Sequence, residues 1–290
     1  MTIEHGSREL AAAHMDPPLQ RLLEAARQKN RRVPQAETAP PVAAGVTTIP
    51  VGRSPHSVAV SPDGTRLYVT EFKGDSLSEV DLSRGEVVAT IPVGEGPYGV
   101  AANPDGRTLH VTVPETETLF IINLPDDEQG SGFGHAPYGV EAGPDGKRVY
   151  LALALEDRVF VTDAFAKGDF GTFTGLDFPV GVAVSPDGRT LYVTHYFADQ
   201  VSIIDIAGKT LLGRVPVTIG PYGVAVSPDG DRVYVAHFPF DSVSVIDPGR
   251  EEVVGTIPVG GAPRGVAVSP DGTHLYVTNF FADTVSVISL

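Results

Sequence analysis

His195 and His237 stand at the same place in two successive copies of one repeated motif, and the next two copies around put Asn279 and Glu71 there. Two imidazoles, an amide and a carboxylate can move protons and stabilise developing charge. A second series of equivalent positions reads His56, Tyr98, Tyr138, Val180, Tyr222 and Arg264. His56 adds a further base, and Arg264 suits a carboxylate, a phosphate or an oxyanion. Aromatic residues follow the first series directly: Tyr196 and Phe197, Phe238 and Phe240, Phe280 and Phe281, and Phe72. A polar cluster rimmed by aromatics is the make-up of a pocket for a small organic substrate, aromatic or cyclic. On this reading His195, His237, His56 and Glu71 are the catalytic candidates. Arg264, Asn279, Tyr98, Tyr138, Tyr222, Tyr196, Phe238, Phe280 and Glu141 are the substrate-binding ones. Glu141 stands out because Ala59, Ala101, Ala183, Ala225 and Ala267 hold the matching positions. A carboxyl projecting from an innermost strand would have a raised pKa. Either no cofactor is needed, or a divalent ion such as zinc or manganese is held by His195, His237 and Glu71 or His56. Each residue also has a plainer use, because a polar side chain at a strand exit can simply hydrogen-bond loop backbone.

These residues must be positioned by a repeat. Asp-Gly glycines fall at Gly64, Gly106, Gly146, Gly188, Gly230 and Gly272, in steps of 42, 40, 42, 42 and 42 residues. A repeat of about 40 residues built of short strands predicts a β-propeller with one four-stranded blade per repeat. In the fourth copy the strands are read as Val182–Val184, then Leu191–Thr194 after the Ser-Pro-Asp-Gly turn, then Val201–Ile204. The fourth strand is clearest as Val87–Val93 and Val253–Val259. The last copy stops after its third strand, at Leu290, and the missing fourth is Val46–Val51 at the other end of the domain. The expected architecture is therefore all-β: a six-bladed propeller over 46–290, closed by an N-terminal strand, preceded by an extension over 1–45. In that extension Pro17–Arg27 reads as one helix capped by Asp16, and Val33–Gly45 as a Pro/Ala-rich linker.

Antiparallel pairing puts the start of each first strand and the end of each second strand on one face. Both residue series are therefore expected to form rings on that face, beside the central channel. The second-strand ring is polar in blades four, five, six and one and apolar in blades two and three, at Val113 and Leu153. The opposite face is built from near-identical turns. His110, within a strand, and His274, on that opposite face, read as structural. Pro125–Pro137 is irregular and replaces the usual fourth strand of blade two.

Composition narrows the partners. A net charge of −15 argues against nucleic acid and anionic membranes. No apolar run is long enough for a signal peptide or a membrane span, which predicts a cytoplasmic protein. Without cysteine there are no disulfides and no thiolate metal sites. Nucleophile elbows, P-loops, zincin motifs and EF-hand loops are absent, so any chemistry must be assembled from single residues of separate blades.

The tetrapeptides Leu67–Thr70, Leu191–Thr194 and Leu275–Thr278, the last followed by Asn279, each trail a Ser-Pro-Asp-Gly turn and resemble the YVTN family of β-propellers. The resemblance covers 46–290, with six repeats where the family usually has seven, and no catalytic residue is carried over from it. It implies the propeller fold and a neighbourhood of streptogramin-lyase-like and lactonase-like enzymes and cell-surface proteins. Two functions stay open: a lyase, lactone hydrolase or cyclase/isomerase working through the histidine arc, and a non-catalytic propeller that binds a ligand or a protein.

Overall fold

The computed structural model describes residues 45–124, 127–132, 135–238 and 240–290. The expected helix over Pro17–Arg27 and nearly all of the expected linker lie outside these residues. The chain forms six four-stranded antiparallel sheets, arranged so that each innermost strand touches the innermost strands of its two neighbours. Blade four shows the pattern, with strands Pro179–Val184, Thr190–His195, Gln200–Asp205 and Thr210–Pro216 from axis to rim. Its second strand is buried from Leu191 to His195 on both faces, because neighbouring blades cover both sides of the sheet. The rim strand is mostly exposed, and its leucines Leu211 and Leu212 face water.

The ring closes as the repeat count requires. Val46–Pro50 pairs antiparallel with Thr284–Ser289, in register from Val46 opposite Ile288 to Pro50 opposite Thr284. This pairing covers the last blade's free edge. Blade two differs from expectation. Asp127–Gly132 pairs along Thr118–Asn123, so the irregular segment supplies the fourth strand rather than replacing it. Backbone pairing is satisfied there by a sequence with no β-branched residue, an instance of tertiary context overriding propensity.

Three recurrent devices hold the blades. On one face the Ser-Pro-Asp-Gly turns are tied internally: Ser185 Oγ donates to Asp187 at 2.6 Å, and Gly188 takes φ 72°. Such bonds depress the aspartates, and the Ser269 hydroxyl, with the Thr273 backbone and side chain, brings Asp271 down to about 2.

On the other face an aspartate before the third strand of every blade but the second, which has Glu117 there, clamps the linker leaving its blade. Asp199, in the left-handed region at φ 52°, accepts from Val217 N through its carbonyl (2.9 Å) and from Gly220 N through its carboxylate (2.9 Å). Asp75, Asp157, Asp241 and Asp283 repeat both contacts.

The third device joins blades. Thr194 is wholly buried in its strand, so its hydroxyl needs partners. It accepts from Gly181 N of its own blade (2.8 Å) and donates to the Tyr222 carbonyl of the next (2.6 Å). Thr70, Thr112 and Thr278 make the same latch, onto the carbonyls of Tyr98 (2.7 Å), Tyr138 (2.6 Å) and His56 (3.0 Å). Blades three and five carry Ala152 and Ala236 at this position and make no latch.

Candidate functional site

The second-strand ring faces into the blades. Glu71 accepts from Ser76 Oγ (2.7 Å), from Ser78 Oγ, and from Gly52 N (2.7 Å). His195 bonds Ser202 Oγ through Nε2 (2.8 Å) and the Asp177 carbonyl through Nδ1 (2.8 Å). His237 Nε2 bonds Ser244 Oγ (2.8 Å), and its ring meets the Thr218 and Ile219 backbone. Asn279 donates to Ser286 Oγ (2.9 Å) and Thr284 Oγ1 (3.0 Å) and packs against Gly260. In each case the side chain binds a third-strand serine seven positions on and reaches the linker that enters its blade. That linker is thus held from both sides, by this residue and by the aspartate of the preceding blade.

Blades two and three confirm the logic by substitution. Where the ring residue is Val113 or Leu153, the position seven on is Phe120 or Phe160. Val113 and Phe120 both flank Gly94 of the linker. The polar arc is therefore a set of linker anchors, and His195, His237, Glu71 and Asn279 do not line the channel cavity. The expectation that both rings border the channel holds only for the first-strand ring.

Burial sets the charge of these groups. Desolvation lowers His237 to about 4 and lowers His195 as well. Both are neutral imidazoles at physiological pH.

The first-strand ring converges on the axis, but as a plug. Tyr98, Tyr138 and Tyr222 pack with Phe178, Tyr196, Phe238 and Phe280 in one buried cluster. The aromatics expected to wall a pocket fill it instead. His56 packs against Tyr98 with the rings tilted and their centroids 4.1 Å apart, and its Nε2 lies 3.0 Å from the Tyr222 hydroxyl. Arg264 is completely buried, with its guanidinium carbon 3.8 Å from the Phe280 centroid, 4.5 Å from Phe238 and 5.2 Å from Tyr222. Such desolvated cation–π contacts are worth about 2 kcal/mol or more. Burial, and then the Arg264 charge, push His56 well below its ordinary value.

Beside the plug the innermost strands border a cavity of about 70 Å³, lined by His56, Tyr98, Tyr138, Val180, Tyr222, Arg264 and Glu141. Glu141 is partly accessible and lines this tunnel. Burial alone pushes its carboxyl up to about 8. Blade three, which carries it, lies across the axis from blade six and Arg264.

No three His, Asp or Glu side chains gather to hold a metal among the described residues. His195, His237 and Glu71, each anchored in its own blade, are not brought together. His110 is buried and bonds the Ala164 carbonyl at 2.9 Å, and His274 lies among the opposite turns beside Thr273. What the sequence reading missed is the serine or phenylalanine seven residues on, which changes character together with the ring residue.

Among the described residues no helix is long and apolar enough to cross a membrane. No family model matches the chain, and no curated protein matches it. Among solved structures it is similar to the hydrazine synthase of Kuenenia stuttgartiensis, with a TM-score of 0.66 and 20% identity over 90% of this chain and 99% of that one. At that identity the likeness speaks for fold alone, and the fold it supports is the β-propeller reached above from the repeats.

Proposed function

We propose that this chain is a non-catalytic binding propeller, which recognises a protein partner through the plugged face. The observation that carries this is the fate of the acid–base groups on that face. Glu71, His195 and His237 are each bonded to a serine of their own blade and reach its entry linker, and His56 is packed on Tyr98 with its Nε2 at the Tyr222 hydroxyl. The channel mouth is packed with aromatic rings, and the cavity behind it is far below the roughly 300–1,000 Å³ of an organic-ligand pocket. Lyase, hydrolase or isomerase chemistry through His195, His237 or Glu71 has neither free side chains nor room.

The same loops present apolar groups outward. Phe281 is 49% and Leu155 53% exposed, and Phe72 and Phe197 are half-buried beside them. Glu95, Glu115 and Glu117 are exposed in the loops at blade two, and Glu156, paired with Arg158, is exposed at blade three. An apolar centre with acids along one side suits a partner with apolar side chains flanked by lysine or arginine.

The test is a triple variant, L155S/F197S/F281S, compared with wild type in salt-dependent pull-down from the native cell extract and in thermal melting. The expected result is unchanged melting and loss of a specific, salt-sensitive partner. A turnover of any small molecule that H195Q or H237Q abolishes without lowering the melting temperature would replace this reading with the enzyme one.

A further inference from the structure

We propose that the open groove between blades six and one, on the Ser-Pro-Asp-Gly face, is the docking site of this chain's own residues 17–32, bound in cis. The inference is independent of the platform reading, which concerns the opposite face.

The groove exists because one side chain is missing. In blades four and five the hairpin between third and fourth strands carries Lys209 and Glu251, both in the left-handed region at φ 51° and 57°. Each reaches back over the outer strand of the preceding blade. Lys209 Nζ lies against Gly171, 5.9 Å from the Phe173 centroid, and the Glu251 carboxylate lies against Gly213, where any Cβ would strike it. Blade one has Gly85 at this place, at φ 65°, and a Cβ there would meet nothing within 4 Å. The outer strand left uncovered is Val46–Pro50, with Thr47 opposite Val287 as Gly213 is opposite Ile203. What remains is an open groove of about 660 Å³.

The groove is apolar and acidic together. Ile49, Leu82, Tyr276 and Val287 line it, and Val46 and Leu290 are exposed at the same end of the blade-six sheet. Asp63 and Asp271 add two carboxylates. Hydrogen bonds from Ser61 and Ser269 lower both, so both are charged at neutral pH.

The occupant follows from where the chain comes in. Val46–Pro50 runs from the turn face toward the plugged face, so the chain enters the propeller at the edge of this groove. Residues 17–32, which lie outside the described residues, read PPLQRLLEAARQKNRR. Leu19, Leu22, Leu23 and Ala26 share one face of the expected helix, and Arg21, Arg27, Lys29, Arg31 and Arg32 stand against one acid, Glu24. The apolar stripe matches the groove walls and the cations match its carboxylates. Residues 33–44 can span up to roughly 40 Å, enough for 17–32 to turn back onto the groove. A tether of that length holds the segment at about millimolar effective concentration.

The experiment uses the full chain, which has no cysteine of its own. One spin label goes to Q28C, on the polar side of the expected helix. The other goes to R84C, beside the groove, or to K167C, across the ring. The expected result is a short, narrow distance to R84C and a longer one to K167C, both unchanged when labelled chain is diluted into unlabelled chain. Unlabelled protein is treated with trypsin in parallel. Cleavage after Arg27, Lys29 and Arg31 should be at least about tenfold slower in wild type than in L19S/L22S/L23S or in G85E, which restores the side chain of blade five. If G85E does not fold, the leucine variant decides, because its changes lie outside the propeller. Broad distances to both sites, a short distance to K167C, loss of the short distance on dilution, or equal cleavage in wild type and folded variants would each overturn the docking.

Discussion

His195 and Ser202 are better regarded as one unit than as two residues. Their bond, with the Asp177 carbonyl as third member, occupies the place that Leu153 and Phe160 fill in blade three. Removing one partner leaves a buried polar group stranded, which costs roughly 1–3 kcal/mol. H195L alone and S202F alone should each destabilise by about that much in urea unfolding. The double variant H195L/S202F should recover part of the loss, and strict additivity would contradict the paired role. The residues' chemistry was legible in the sequence; their orientation was not. A strand exit fixes the face of a side chain but not whether it turns to the axis or back into its sheet. The seven-residue pairing held that information and becomes readable only once second and third strands are set in register.

Two buried groups make opposite pH predictions at this scale. His237 has a folded pKa near 4, below its unfolded value, and His56, His110 and His195 are also lowered. The unfolded chain then binds more protons as pH falls below about 6.5, so stability should drop between about pH 6.5 and 4. His237 alone contributes on the order of 3 kcal/mol to that loss. Glu141 is raised, so its stabilising neutral form is complete below the unfolded value and lost as pH rises through about 8. E141Q should match wild type near pH 4 and exceed it by about 2 kcal/mol or more at pH 8–9. Chemical denaturation across this range checks both, and identical pH profiles for wild type and E141Q would refute the second.

At the scale of elements, the threonine that four of the six second strands carry (Thr70, Thr112, Thr194 and Thr278) does more than favour extended backbone. It closes a buried hydrogen-bond chain from one inner strand to the next. T278A, at the joint between last and first blades, should cost roughly 1–3 kcal/mol. A152T and A236T, which install the missing latch, should each add about 1 kcal/mol, because the Tyr222 and Tyr98 joints show the same geometry accommodating threonine. Melting of the three variants measures this. The strands themselves were readable from turn spacing and β-branched content. The exception is Asp127–Gly132, whose acidic, glycine-rich composition gives no strand signal and which is ordered by pairing with Thr118–Asn123.

For the whole molecule, closure rests on Val46–Pro50. Deleting residues 1–52 removes that strand, together with the Val51 contact to the Asp283 carbonyl. It should abolish cooperative unfolding, whereas deleting 1–40 should leave the melting temperature within a few degrees. Equal losses would mean the strand pairing does not secure the ring. This closure was legible because counting repeats exposes a missing fourth strand at one end and an orphan at the other. The plug was not, since whether seven converging aromatics line a hole or fill it depends on blade number and on ring diameter.

The two absent latches also divide the circle. They fall after blade three and after blade five, leaving blades four and five as a wedge bounded by weaker seams. Arg264 spans one of these, reaching from blade six onto Tyr222 and Phe238 of blade five. A ring cracks where its joints are thinnest, so thermal breathing should take the form of a two-blade sector swinging outward. Amide exchange would reveal it as earlier loss of protection along Pro179–Val184 and Pro263–Val268 than along the inner strands of blades one and two. The plug then acts as a keystone as well as a filling.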